Sequence, residues 1–188
     1  MSSNGRHLRG AVIAGAVVAT LSLAPAAAAQ NPAGAPPATS LVFDKNPNDP
    51  GNSRLNVYRG TKLWAAYRAG SGQGAKIKDD CAVKKGWIPN GNWKIRGKYT
   101  KYNGRIIKGY AVYLQDMPCS SGKRKRTEMF IHSEMNRAGG RGRPESQRWD
   151  GTRDYLSNGC VKLTPDDIKK MFRLLDRIGW PTHLRVVN

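Results

Sequence analysis

Apolar residues along this chain recur with two different periods. Between Arg54 and Arg68, Leu55, Val57, Leu63 and Tyr67 fall on alternating positions around a polar tetrapeptide, Arg59-Gly60-Thr61-Lys62. A period of two marks half-buried strands and the tetrapeptide marks a turn, so this segment predicts a β-hairpin with those four side chains facing inward. Gly70-Ser71-Gly72 ends it. Pro89-Asn90-Gly91 predicts a tight turn. Arg105 to Leu114, rich in Ile, Tyr and Val, predicts a buried strand. Thr127 to His132 predicts another, with Met129 and Ile131 on one face and Glu128, Phe130 and His132 on the other. The period then lengthens. Ile168, Met171, Phe172, Leu175 and Ile178 stand at helical spacing behind Thr164 as N-cap, Pro165 at the first helical position, and Asp166 and Asp167 in the first turn. Gly179 stops that helix, over about residues 165–178, and Leu184 to Val187 reads as a last strand. The pattern as a whole predicts a mostly β domain with one main α-helix.

The first residues follow neither period. Arg6, His7 and Arg9 precede an apolar run from Ala11 to Leu23, Pro25 breaks it, and Ala27-Ala28-Ala29 follows. Residues 1–29 therefore read as a secretory signal peptide, the apolar run being too short and alanine-rich for a spanning helix. No stable membrane anchor is expected. Residues 30–49 are expected to be a disordered Pro/Ala-rich linker, most biased over Asn31 to Ser40, with the folded domain at 50–188.

Charge narrows the partners. The 188 residues include 32 basic and 13 acidic ones, a formal charge of +19. That implies an anionic surface or polymer, and nucleic acid, anionic lipid and anionic cell wall all fit. Lys123-Arg124-Lys125-Arg126 and Arg141-Gly142-Arg143-Pro144 invite a nucleic-acid reading. The export signal argues against an intracellular target, so no nucleic-acid partner is expected. Past the leader the imidazoles are His132 and His183, with no Cys-x-x-Cys or His-x-x-x-His spacing and no phosphate-cradling glycine loop. No metal and no cofactor are expected.

The candidate chemistry lies in Ser157-Asn158-Gly159-Cys160-Val161-Lys162-Leu163. A small residue, a polar residue and a glycine lead into a cysteine, as in a turn that presents a nucleophile. Gly159 permits close backbone approach or positive φ, and N–H groups in such a turn can face an oxyanion. The thiolate is the reactive form, so Cys160 needs a base or a positive neighbour. His132, followed by Ser133, is the candidate base. The plainer alternative for Cys160 is a disulfide partner or a buried structural thiol. There are three cysteines, so at least one lies outside any intramolecular disulfide. In an exported protein Cys81 and Cys119 are expected to pair and to leave Cys160 free.

His132-Ser133 and Ser157-Asn158-Gly159-Cys160-Val161-Lys162 resemble the motifs of the L,D-transpeptidase (YkuD-like) catalytic domain family of bacterial cell walls, which places a histidine, often before serine, upstream of Ser/Thr-His-Gly-Cys. Ile88-Pro89-Asn90-Gly91-Asn92-Trp93 is similar to a second stretch of that family, with Ile88 in place of threonine. Asn158 stands where the family has histidine, Lys162 where it has arginine or asparagine, and the spacer between base and nucleophile is longer. The resemblance implies an L,D-transpeptidase-like β-sandwich and an acyl-enzyme at Cys160. Such an enzyme acts on peptidoglycan stem peptides, with loss of D-alanine and formation of 3-3 cross-links. It implies His132 as base, Ser133 orienting it through its carbonyl, and Gly159 and Cys160 N–H groups as the oxyanion hole. Asn158 is then either an amide donor or a plain turn residue, and Lys162 either a ligand for a substrate carboxylate or a solvated cation. Residues 134–156 read as a flap, and Ser157, Lys162, Trp149 and Tyr155 are the candidate substrate contacts. A monomer in the cell wall or medium is expected, holding anionic wall polymers through its charge. Two alternatives stay open: an L,D-carboxypeptidase of the same chemistry, and a non-enzymatic cationic wall-binding protein, which the Asn158 departure alone favours.

Overall fold

The computed structural model describes residues 36–188. The expected signal peptide and the first residues of the expected linker lie outside the described residues. The linker is corrected in its later part. Thr39–Asp44 forms β1, with Leu41 and Phe43 buried in the core. The Pro-Ala-Gly bias stops short of these residues, and Leu41 and Phe43, two apart, give the strand an inward face.

β2 (Ser53–Arg59) and β3 (Lys62–Ala69) form the expected hairpin about Gly60-Thr61. Leu55, Val57 and Tyr67 face inward, but Leu63 is exposed. A β-bulge between Val57 and Tyr58 pairs Val57 with Ala65 and Tyr58 with Leu63, so the alternation slips by one residue and turns Leu63 outward. Gly91–Asn103 forms the long β4, which pairs with β5 (Lys108–Leu114). β6 (Met117–Pro118) and β7 (Lys125–Arg126) make a separate two-stranded ribbon. β8 (Phe130–His132), β9 (Val161–Lys162), α1 (Pro165–Ile178) and β10 (His183–Val187) complete the elements.

The main sheet has the order β3-β2-β1-β10-β4-β5-β8-β9. β4 pairs with β10 through Gly91 to Lys94 and with β5 through Ile95 to Asn103, so one strand serves both halves of the sheet. The pairs β1·β10 and β8·β9 are parallel and the others antiparallel. The two ends of this order meet. Gly70, just past β3, and Lys162 of β9 exchange backbone hydrogen bonds of 3.0 and 2.9 Å, which closes the sheet on itself. Gly70 is required there, because a Cβ would lie 2.4 Å from the Tyr155 carbonyl oxygen. Leu41, Phe43, Trp93 and Ile131 of the sheet enclose one apolar core with Ile168, Met171 and Leu175 of α1. Among the described residues the chain is thus mostly β with one α-helix, and the two halves expected of a sandwich belong to a single closed sheet.

The helix is capped as its sequence requires. The Thr164 side chain accepts the Asp167 N–H at 3.1 Å, and Gly179 ends the helix at φ 96°. It follows β9 directly, which anchors the stretch after Cys160 to the core.

Candidate active site

Register explains how residues distant in sequence converge. Parallel pairing of β8 with β9 sets Ile131 beside Val161 and His132 beside Lys162. Cys160, one residue before β9, therefore falls level with Phe130, and the two pack together with Ala111 of β5. Ile131 on the opposite face of β8, and Met129 just before the strand, enter the main core. Cys160 and His132 are each 8% exposed and line the same cavity of about 870 Å³.

His132 Nδ1 lies 3.1 Å from the Ser133 carbonyl oxygen. A carbonyl only accepts, so Nδ1 carries the proton and Nε2 of the neutral ring keeps its lone pair free. Burial, then the charge of Lys162, pushes the imidazole down to about 3 against the pull of the Ser133 carbonyl, so the ring is neutral at pH 7. Burial pushes the Cys160 thiol up to about 11. The Phe130 N–H, Arg126 and Lys162 act in the other direction, and Glu128 reinforces the rise. The thiol points to the Glu128 carbonyl oxygen at 3.7 Å. Base and nucleophile thus rest as a neutral pair facing one space. Glu128 itself sits at φ 54°, a conformation costly for a residue with a side chain, at the point that presents its carbonyl to the thiol.

The turn before Cys160 is stapled from several sides. Ser157 Oγ donates to the Cys160 carbonyl at 2.6 Å and accepts the Gly72 and Gly159 N–H groups at 3.1 and 3.0 Å. Ser71 Oγ donates to the Gly159 carbonyl at 2.9 Å and accepts the Ile88 N–H at 3.0 Å. The Gly159 N–H, expected as an oxyanion donor, is therefore spent inside the turn. The Cys160 N–H remains as the donor at that position. Gly159 has φ 119°, and a Cβ on it would sit 2.0 Å from Arg126 Nη2. What the glycine admits is this guanidinium.

The other expected residues divide. Ser157 and Asn158 line the cavity. Asn158 Oδ1 accepts from Gln73 Nε2 at 3.0 Å. Ser133 serves through its carbonyl, while its Oγ is buried without a partner. Lys162 lines the cavity but is not a free cation. Its ammonium is ion-paired with Glu134 and donates to the Leu156 carbonyl at 2.8 Å. Trp149 and Tyr155 do not line the cavity. Tyr155 is 6% exposed, meets the Trp149 ring edge-on at 4.8 Å, and lies under the Arg68 guanidinium at 4.3 Å. The pair packs within the 134–156 segment and ties it to β3 through Arg68. That segment still forms one cavity wall, through Glu134, Glu145 and Asp154.

Cys81 and Cys119 form a disulfide with their Cα atoms 5.0 Å apart, and Cys160 is free. Among the described residues two clusters have cation-binding donor types. In one, Cys81 and Cys119 are spent in the disulfide. In the other, Glu134 pairs with Lys162, and Asp154 Oδ2 accepts the Asp150 and Gly151 N–H groups at 2.7 and 2.8 Å. The charges of that pair are already employed. Among the described residues no helix is long and apolar enough to cross a membrane.

Residues 48–179 match the YkuD family, described as the L,D-transpeptidase catalytic domain. The chain belongs to this family. Comparison with curated proteins gave no match. Among solved structures the L,D-transpeptidase domain described here is similar to the Bd1075 protein of Bdellovibrio bacteriovorus. There the identity is 16%, the TM-score 0.49, and the match covers 81% of this chain and 48% of that one. It is also similar to L,D-transpeptidase 1 of Mycobacterium tuberculosis, at 17% identity and TM-score 0.43, covering 81% and 62%. An L,D-transpeptidase from Mycobacterium smegmatis matches at 16% and 0.44, covering 80% and 59%. The chain thus spans less than two thirds of each of these proteins. Membership in the L,D-transpeptidase family rests on the match over residues 48–179, and the site geometry is this chain's own.

Proposed function

We propose that this chain is an exported cysteine acyltransferase that acts on peptidoglycan stem tetrapeptides. The observation that carries the reading is a free thiol and a neutral imidazole with a bare Nε2 lining one cavity, in a chain of the L,D-transpeptidase family. In this reading Cys160 Sγ attacks the carbonyl between the third, diamino residue and D-alanine, and its proton passes to His132 Nε2. The Cys160 N–H faces the oxyanion. When the tetrahedral intermediate collapses, the carbon–nitrogen bond breaks. His132 returns the proton to the departing D-alanine nitrogen, and a thioester remains on Cys160. The side-chain amine of a second stem attacks the thioester, His132 accepts its proton, and the thiol is released with a 3-3 cross-link formed. Both groups are neutral at rest, so the proton leaves the thiol as the sulfur attacks.

The test is mass spectrometry of a tetrapeptide-stem muropeptide incubated with the protein and with Cys160→Ala. Dimers formed with loss of D-alanine, and absent with Cys160→Ala, are the expected outcome. Loss of D-alanine without dimers would assign a carboxypeptidase. An unchanged substrate would remove the enzymatic reading and leave the cationic wall-binding one.

A further inference from the structure

Arg126 closes the basic run Lys123–Arg126, yet it is 2% exposed. Its guanidinium donates to four backbone carbonyls. Nη1 reaches Asp80 and Trp87, the latter at 3.0 Å, and Nη2 reaches Gly86 and Asn158, both at 3.3 Å. The last belongs to the nucleophile turn, two residues before Cys160. Among the described residues no carboxylate lies within ion-pair distance of it. A buried cation held by carbonyl dipoles alone is costly, and the cost falls when an anion appears beside it. Asp80 and Asp79 add negative charge nearby without forming an ion pair, and on the cavity side the group able to become an anion is the thiol. Both side chains line the same cavity, and the missing Cβ of Gly159 is what lets the guanidinium lie against the turn. The other cation near the thiol, Lys162, already has Glu134 as its ion-pair partner, whereas Arg126 has none. Glu128 faces the thiol with the opposite charge, and His132 is neutral.

We propose that Arg126 is a positioning residue for the nucleophile: its fork fixes the Asn158 carbonyl and its charge is the counter-charge for the Cys160 thiolate. The β6–β7 ribbon delivers it. Met117 pairs with Arg126, the Cys119 N–H donates to the Arg124 carbonyl at 2.8 Å, and the disulfide ties Cys119 to Cys81, next to the Asp80 carbonyl that Arg126 holds. The ribbon, the 79–88 loop and the nucleophile turn are thereby joined at one guanidinium.

This inference rests on Cys160 being the nucleophile. Its test uses iodoacetamide, which needs no stem peptide, so a failure with muropeptides and a failure here are distinguishable. Alkylation of Cys160 is followed by mass spectrometry between pH 6 and 10 in the protein, in Arg126→Met and in Arg126→Lys. The profile of Arg126→Met should move about one unit to higher pH, making alkylation about tenfold slower at pH 8, and Arg126→Lys should restore most of the shift. A folded Arg126→Met, checked by its thermal melt, that keeps the original profile would overturn the proposal. Should Arg126→Met not fold, the unsubstituted protein decides. The ¹⁵N resonance of the Arg126 guanidinium should titrate in step with the alkylation profile and lose that step in Cys160→Ser. A resonance indifferent to the thiol would also overturn it.

Discussion

The thiol of Cys160 and the imidazole of His132 are both held neutral by burial, and this fixes how reactivity must depend on pH. With the thiol pushed up to about 11, the thiolate fraction climbs about tenfold per pH unit throughout the neutral range. Alkylation should therefore rise without a plateau from pH 7 to 9. A plateau below pH 9 would show that the thiolate is already formed and that the base is not needed to make it. After burial and against the donors at Phe130, Arg126 and Lys162, the Glu128 carboxylate also holds the thiol up. Glu128→Gln removes a negative charge, so the thiol should become more acidic and alkylation at pH 8 about threefold faster. Slower alkylation would contradict that sign. The residues of the candidate site were legible in sequence because they lie in short motifs of special composition: His132-Ser133 and Ser157 to Lys162. Arg126 was not. It stands in a run of four cations that reads as a solvated loop, and nothing local distinguishes the one whose side chain turns inward. The ribbon that turns it is two residues long per strand, too short to leave a periodic trace. Tyr155, an aromatic in a flap, reads in sequence as a contact for ligand, and here its ring packs against Trp149 and Arg68.

Among the elements, α1 and the β2–β3 hairpin follow from periodicity, capping and turn residues, and the structure has them where the sequence places them. Two strands show the limits of that reasoning. β1 is short and adjoins a Pro/Ala-rich stretch, so composition hid an inward pair, Leu41 and Phe43, whose burial depends on β2 and β10. In β3, a bulge moved Leu63 to the surface, and a bulge is set by pairing rather than by composition. The β6–β7 ribbon is the element whose stability the disulfide governs. The Cys81–Cys119 bond closes a segment of 38 residues that also contains β4 and β5. Replacing both cysteines by serine should cost about 4 kcal/mol through loop entropy alone. The lowering should be read in a denaturant titration, with Cys160 alkylation slowed as well because Arg126 loses its tether. A double-serine protein with unchanged stability and unchanged alkylation would show the ribbon to be held by other contacts.

At the scale of the whole molecule the decisive feature is closure of the sheet at Gly70 and Lys162. Adding a methyl group at Gly70 would drive it into the Tyr155 carbonyl and push β3 from β9. Gly70→Ala should lower stability by about 1–3 kcal/mol, measured as a shift of the denaturant midpoint. It should also reduce Cys160 alkylation selectivity, since the turn is hung from β9. Stability within error of the parent would mean that the seam opens freely. A net charge of +19 belongs to this scale too, because it arises from residues spread over the whole chain rather than from one site.

That same seam sets when the thiol can act. It joins the first hairpin to a strand near the end of the chain, the contact of greatest sequence separation around the nucleophile, and contacts of that kind are the slowest to form. Until it forms, Ser71 and Gly72 are not beside Gly159 and Ser157, and the turn lacks its staples. A chain that is still emerging, or threaded in extended form through a membrane, would carry a plain cysteine. The nucleophile turn is therefore a late product of folding, complete only when the two distant parts of the chain have met.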